Sequence, residues 1–412
     1  MKHHHKYYRS VSLSAMLLAG LTGPITPEAT AADDSEDLLF EEIVVFSRSR
    51  KESSLSIPQT VDLIDNKLLK SVAALTIGDA LRFVPGASQD GSKLDAFSDN
   101  YLIRGFGSDQ TINGASKNRL NHSRDAVNVE RIEVLKGPAS VLYGQLEPGA
   151  VVNVVTKQAE EDFSAEVSFE AGRFDHYRGT LDVTGSLTDS GNVRFRLTGA
   201  YEDSDAFVDF WNREHIFIAP TIAFDIGEDT TFTVEALYSK NTWSAFYNGV
   251  PILGTLEPNA NGVIPANRHL ADPTLDGTVR RTSDVTARLD HSFNDDVALR
   301  AVVSWTEGVQ DYEEVFALPV AGYFPIGPSE AEQTRLVNRV LLTTDSNTET
   351  YAAHLDLSFS LNTGPVAHDL AIGVDYQSRN SKQSNGADLL FPLDQFTPTY
   401  SLDERPASPS QG

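Results

Sequence analysis

The sequence predicts two folded regions: an α/β segment over residues 51–158, then an antiparallel sheet from residue 159 onward of the kind that closes into a transmembrane β-barrel. Three observations carry this. An export signal opens the chain, the hydrophobic period becomes two after Phe163, and the links between the period-two segments alternate between short and long.

Residues 1–32 join a basic start (Lys2, Lys6, Arg9) to an apolar stretch from Val11 to Leu21 and a small-residue end, Ala29-Thr30-Ala31, so cleavage is expected near Ala31 or Ala32. The alternative, a buried N-terminal helix, is broken by Pro24 and Pro27 and followed at once by acid. His3 to His5 would leave with the signal. With 40 % apolar and 22 % charged residues the chain is neither disordered nor fibrous, and after the N-terminus no apolar run nears the roughly 20 residues of a spanning helix. Any crossing of a membrane is therefore made by strands. Cysteine is absent, which excludes disulfides, thiolate metal sites and cysteine nucleophiles. The net charge is −25, with the excess acid concentrated in the second half, so no nucleic-acid partner is expected.

In the first region Val61 to Ile64 reads as a short strand. Asp65 to Val84 shows helical spacing until Pro85-Gly86 stops it, and Tyr101 to Ile103, Ile132 to Leu135 and Val151 to Val155 follow as strands. In the second, Phe163, Ala165, Val167 and Phe169 alternate with Ser164, Glu166, Ser168 and Glu170, and comparable copies run to Tyr376, about nine in all. Short turns fall at Thr188 to Asn192, Gly227 to Asp229, Asn294 to Asp296 and Asn362 to Ala367. Long links span Asn241 to Gly277 and Asp311 to Glu349. That rhythm suits an outer-membrane barrel. Tyr177, Tyr201, Tyr238, Trp305 and Tyr351 close the apolar faces as an interfacial girdle would, the alternative being core aromatics of a soluble sandwich.

Ordered motifs add to this. Glu41-Glu42-Ile43-Val44-Val45 is followed by Ile57-Pro58-Gln59-Thr60-Val61, Ala80 to Gly86, Ile103-Arg104-Gly105-Phe106 and Ile112-Asn113-Gly114. Then come Asn128 to Pro138, Ala139 to Gly144 and Gly149 to Lys157. In this order they resemble the N-terminal half of TonB-dependent siderophore receptors. The resemblance implies an α/β plug domain inside a transmembrane antiparallel β-barrel of 22 strands in the outer membrane of a Gram-negative bacterium. About nine strands are present in this chain, which reads as truncated. It divides the sequence into residues 1–32 (signal), 33–50 (TonB-box segment), 51–158 (plug) and 159–412 (the N-terminal portion of the barrel). The stretch between Gly114 and Glu130 is short for the family, so an apex loop of different shape is expected.

The same resemblance implies TonB as a partner, gripping Glu41, Glu42, Ile43, Val44 and Val45 as an added strand, against an ordinary edge strand as the alternative. The ligand implied is an iron(III)-siderophore complex, with no cofactor and no resident metal. Outer-membrane lipid and lipopolysaccharide are the surroundings, with Asp203, Asp205 and Asp209 as candidates to bridge the latter through cations. Arg104, Glu130, Arg131 and Glu133 are candidate plug-to-wall ion pairs, or solvated charges. Aromatic rings with polar tips suit a bulky chelate: Tyr101, Phe106 and Tyr143 in the plug, and Phe207, Trp211, Trp243, Phe246 and Tyr247 in outer loops, each with packing as its alternative. No nucleophile elbow, HExxH pair or phosphate loop occurs, so an enzyme is not expected. Other readings are a receptor for cobalamin or a sugar, and a nonfunctional truncated fragment.

Overall fold

The computed structural model describes residues 44–46, 51–53, 60–89, 101–116, 124–136, 150–244, 249–274, 277–318, 334–363 and 366–400. Two short strands come first, β1 (Val44–Phe46) and β2 (Lys51–Ser53), paired antiparallel with Val44 opposite Ser53.

The α/β region holds β3 (Thr60–Asp65), α1 (Asn66–Ser71), α2 (Ile77–Leu81), β4 (Ala87–Gln89), β5 (Tyr101–Ile103), β6 (Phe106–Ile112), β7 (Ala115–Ser116), β8 (Val129–Lys136) and β9 (Ala150–Thr156). The single helix expected over Asp65–Val84 is two helices. Asp65 caps α1 by accepting from the Leu68 N–H at 2.7 Å, Ala73 then turns the chain at φ 47°, and Thr76 with Asp79 forms a capping box that starts α2. The strands order β3-β8-β9-β6-β5-β4, with β7 on β6 and only the β6–β9 pair parallel among those described. Both helices bury Leu69, Ile77, Ala80 and Leu81 against Ile132, Val134, Val152 and Val154 of the central strands, forming the apolar core of this region.

Nine strands follow: β10 (Ser164–Ala171), β11 (Tyr177–Ser186), β12 (Val193–Asp205), β13 (Asn212–Asp225), β14 (Thr230–Ser244), β15 (Thr278–Asn294), β16 (Val297–Leu318), β17 (Leu336–Thr363) and β18 (Val366–Asp394). Each pairs antiparallel with the next in an unbroken meander, with the short turns where the sequence puts them.

The sheet is inside out. Val167 and Phe169 are 77 % and 73 % exposed, and Tyr177, Ile218, Val303, Leu355 and Tyr376 share that outward face. Arg178, Asp182, Arg196, Thr198 and Glu202 point to the other side and are buried there. In water this arrangement would forfeit roughly 25 cal/mol per Å² of exposed apolar area. Lipid outside and a polar filled lumen inside remove that cost.

One expectation is corrected. Asp311–Glu349 is not a loop throughout: β16 runs on to Leu318 and β17 starts at Leu336, so β16, β17 and β18 have 22, 28 and 29 residues. A strand crosses the hydrocarbon with about 9–11 residues. Beyond the lipid both faces meet water or protein, the apolar alternation stops, and the sequence signal stops with it.

Candidate functional site

The site is the interface between the α/β region and the inner wall of the sheet, together with the lumen beyond it. Asp125 lies where the chain enters β8. Its position is fixed by a bridge to Thr76 and by the Ala126 N–H donating to the Leu75 carbonyl at 3.0 Å. Its Oδ1 accepts from Arg178 Nη2 of β11 at 2.7 Å, and Oδ2 lies 3.0 Å from His215 Nε2 of β13. Arg178 also meets Glu202 at 3.3 Å, and Arg213 reaches the same carboxylate at 3.6 Å. Burial alone would raise the Asp125 carboxyl. The hydrogen bond with His215 and the Arg178 guanidinium outweigh it and hold the group well below the usual carboxylate range.

A second centre forms where the chain leaves β9. Lys157 Nζ donates to Asp182 Oδ2 at 2.7 Å, while Arg196 grips the same carboxylate through Nε and Nη2 at 2.7 and 2.8 Å. Arg196 Nη1 also donates to Glu160 at 2.8 Å and to the Gln158 carbonyl at 2.9 Å. Gln158 Oε1 accepts from Arg288 of β15 at 2.6 Å, and Asn128 donates to Thr198 at 3.1 Å. Val127 sits between these centres against Phe217 and Ala219 of the wall. At the rim Lys70 of α1 pairs with Glu166 of β10 at 2.6 Å, both about half exposed. Among the described residues the region is thus held by buried, directional polar contacts and a small apolar patch.

Further along, β15 to β18 border an open hollow of about 800 Å³ beside the exposed edge strand β18. The connection between β14 and β15 folds back over the far ends of these strands. Leu270 and Ala271 pack with Val315, Ala317, Leu341, Leu390 and Leu393. Val315 and Leu341 share strand phase with Val303 and Leu355, with no register shift between them, so this loop covers the face that lower down is turned to lipid. It is fastened by Arg339 to Asp272 at 3.2 Å, Tyr400 Oη to the His269 carbonyl at 2.6 Å and Asn267 to Asp209 at 2.6 Å. Burial pushes the His269 imidazole down to about 4, against the opposing pull of Asp272 and Asp209.

Comparison with known proteins agrees with this arrangement. Residues 53–151 match the model of the TonB-dependent receptor plug domain. The chain is 31 % identical over 325 residues to the metal-pseudopaline receptor CntO of Pseudomonas aeruginosa, covering 78 % of this chain and 44 % of that one. It is 25 % identical over 393 residues to the ferrioxamine B receptor of Salmonella typhimurium, covering 93 % and 54 %. The ferric-catecholate import receptor Fiu of Escherichia coli in its closed form superimposes with a TM-score of 0.75 at 24 % identity, over 85 % of this chain and 51 % of that one. The chain belongs to the TonB-dependent receptors.

It spans about half the length of the curated relatives it matches. As a TonB-dependent receptor its place is the outer membrane of a Gram-negative cell, the α/β region is the plug, and the nine strands belong to the barrel wall. The family consists of receptors and transporters.

Within this receptor the sequence-derived residues fall as follows. Glu41, Glu42 and Ile43 lie outside the described residues, while Val44 and Val45 stand in β1 opposite Ser53 and Glu52. Arg104 is exposed in the β5–β6 turn at φ 55°, and Glu130 is exposed on β8. Arg131 pairs with Glu133 two residues along β8 at 2.8 Å, and Glu133 accepts from Asn153 of β9 at 2.7 Å, which braces the plug itself. The contacts to the wall described above belong instead to Lys70, Asp125, Asn128, Lys157, Gln158 and Glu160. Tyr101 is a core residue whose hydroxyl donates to the Gly78 carbonyl. Trp211 and Trp243 are buried, Phe106 and Phe207 are exposed, and Tyr143, Phe246 and Tyr247 lie outside the described residues. A usable signal for the missed residues existed: once Arg178, Asp182 and Arg196 face inward, buried guanidinium and carboxylate groups require partners from the plug.

Proposed function

We propose that this protein is an outer-membrane receptor that takes up metal chelates, ferric siderophores above all, with energy delivered through TonB. The observation that carries the reading is the plug pinned to the polar inner wall of an inside-out sheet. The closed state follows from it, because the lumen is filled by a folded domain, and so does the mode of opening. Buried ion pairs are costly to break singly, about 3–5 kcal/mol when one partner is lost, but each separated group is solvated as soon as water reaches it. A pull applied at the N-terminal side therefore loosens them in succession and never has to peel a large apolar surface away in a single step.

The pulling point in this reading is Glu41 to Phe46. TonB adds a strand there through main-chain hydrogen bonds. Since β1 already pairs with β2 on one edge, TonB takes the other edge or displaces β2. The names of relatives support a chelate as cargo: one is a metal-pseudopaline receptor and another a ferrioxamine B receptor. The first also favours a second reading, in which the complexed metal is not restricted to iron.

The experiment is uptake of radiolabelled iron by iron-starved cells that carry the protein in place of their own receptors. Uptake should require TonB and vanish when residues 41–46 are deleted, while chelate binding persists. Uptake that survives loss of TonB would refute the proposal.

A further inference from the structure

Residues 249–274, in the connection from β14 to β15, are fastened to segments far apart in the chain. On the β12–β13 turn, Asp209 accepts from the Asn267 side chain at 2.6 Å, and its N–H donates to the Asn267 carbonyl at 2.9 Å. Ahead of β17, the Thr334 carbonyl accepts from Asn259 at 2.9 Å, and within β17 Arg339 meets Asp272 at 3.2 Å. Past β18, the Phe396 carbonyl accepts from Arg268 at 3.2 Å, and Tyr400 donates to the His269 carbonyl at 2.6 Å.

A loop that opens and closes belongs to the low-stability end of a protein, with few buried apolar contacts and exposed hydrogen bonds. This segment has the opposite character. The Arg339 and Asp272 side chains are 4 % and 0 % exposed, so neither can leave without stranding a buried charge. Ala271 is buried against Val315 and Leu341, and Leu270 against Leu393. These partners lie on the outward phase of the wall, so the segment runs along the outside of the strands and not across the lumen. Its return to β15 is equally confined. Gly277 sits at φ 80°, and a Cβ there would stand 2.1 Å from the Trp243 carbonyl oxygen, which leaves no slack for a hinge.

Resting on the receptor reading above, we infer that residues 249–274 form a strap that stays closed throughout transport and holds the outer ends of β12–β13 and β16–β18 as one rigid rim. Movement that admits and encloses cargo is left to other connections. A rim already in its bound shape spares the ligand the cost of ordering it.

The test uses full-length protein in iron-starved cells as their sole receptor, supplied with radiolabelled iron(III) citrate, a tris-catecholate or a trihydroxamate, whichever the parent imports fastest. Ala271→Cys with Val315→Cys, or Leu270→Cys with Leu393→Cys, joins strap to wall as a disulfide. The oxidised pairs should import at the parent's rate. D272N and R339Q should free the strap and lower import about two- to tenfold, since the rim must then be ordered at each binding event. Spin labels at Leu256, which is 85 % exposed on the strap, and at Leu187 on a short turn follow the strap without any ligand. They should give one narrow distance in the parent and a broad one in D272N. Oxidised pairs that import only after reduction would make the segment a lid and overturn the inference. So would a parent distance as broad as that of D272N, or D272N importing at the parent's rate. A parent that imports none of the three iron sources sinks the receptor reading instead, and the label distances then decide on the strap.

Discussion

Asp125→Asn should release the entrance to β8 from the barrel wall. In the parent the carboxylate takes Arg178 at 2.7 Å, lies 3.0 Å from His215 and accepts the Val127 N–H at 2.8 Å, in a setting without solvent. The amide keeps the shape but loses the charge and turns one acceptor into a donor, which leaves Arg178, among the described residues, with Glu202 at 3.3 Å as its ion-pair partner. Losing one partner of a buried pair costs about 3–5 kcal/mol. At about 1.4 kcal/mol per factor of ten, local opening becomes roughly 10²- to 10⁴-fold more frequent. Hydrogen exchange of the amides from Val127 to Val129, measured on the protein in detergent, reads this directly. Lys70→Gln is the comparison. Its pair with Glu166 is half exposed on both sides, so its loss should change exchange no more than about fivefold. If D125N exchanges no faster than K70Q, the assignment of Asp125 as a main anchor of the plug is wrong.

Three further outcomes are expected. Val44→Pro removes a ladder donor and fixes φ, so disulfide crosslinking of this segment, through a cysteine introduced at Glu42, to a cysteine in the C-terminal domain of TonB should be lost; unchanged crosslinking would count against the pulling point. Spin labels at Leu181 and Asp182 should differ, the first reached by oxygen from lipid and the second shielded. Equal access of a water-soluble relaxant to both would sink the barrel assignment. His269 has its pKa depressed in the folded loop to about 4, below an unperturbed value near 6.5, so the unfolded loop binds more protons between them. The stability it confers is complete above about 6.5 and is lost progressively as the pH falls toward 4. Protease cutting within 249–274 should therefore rise over that window in the parent and stay flat in His269→Phe.

The barrel wall was legible because lipid enforces a strict code. Outward positions that face lipid, such as Val167, Val303 and Tyr376, must be apolar, and that alternation places all nine strands and their short turns. Where lipid ends the code ends, which is why residues 311–318 and 336–349 read as loop although they continue β16 and β17. In the plug, β8 and β9 were visible as apolar runs, but Ala73 broke a helical pattern without any glycine or proline to mark it. The anchors were missed for a related reason. Asp125, Lys157 and Gln158 are ordinary polar residues until the inward face of another strand, more than twenty positions away, supplies Arg178, Asp182 or Arg288. Tyr101 shows the converse: its polar tip suggested ligand recognition, and the tip is satisfied inside the core by a main-chain carbonyl.

The length of β17 has a consequence at the cell surface. Twenty-eight residues at about 3.3 Å each, tilted by about 45°, reach roughly 65 Å along the membrane normal, of which the hydrocarbon claims about 25–30 Å. On the order of 35–40 Å of hydrogen-bonded ladder thus stands beyond the lipid as a stiff wall. The far ends of β17 and β18 are therefore held in a fixed shape on the living cell. An antibody that recognises the paired segments around Thr343 and Gly386 should find its epitope preformed on intact bacteria, where a linear peptide of the same sequence would have to be ordered first.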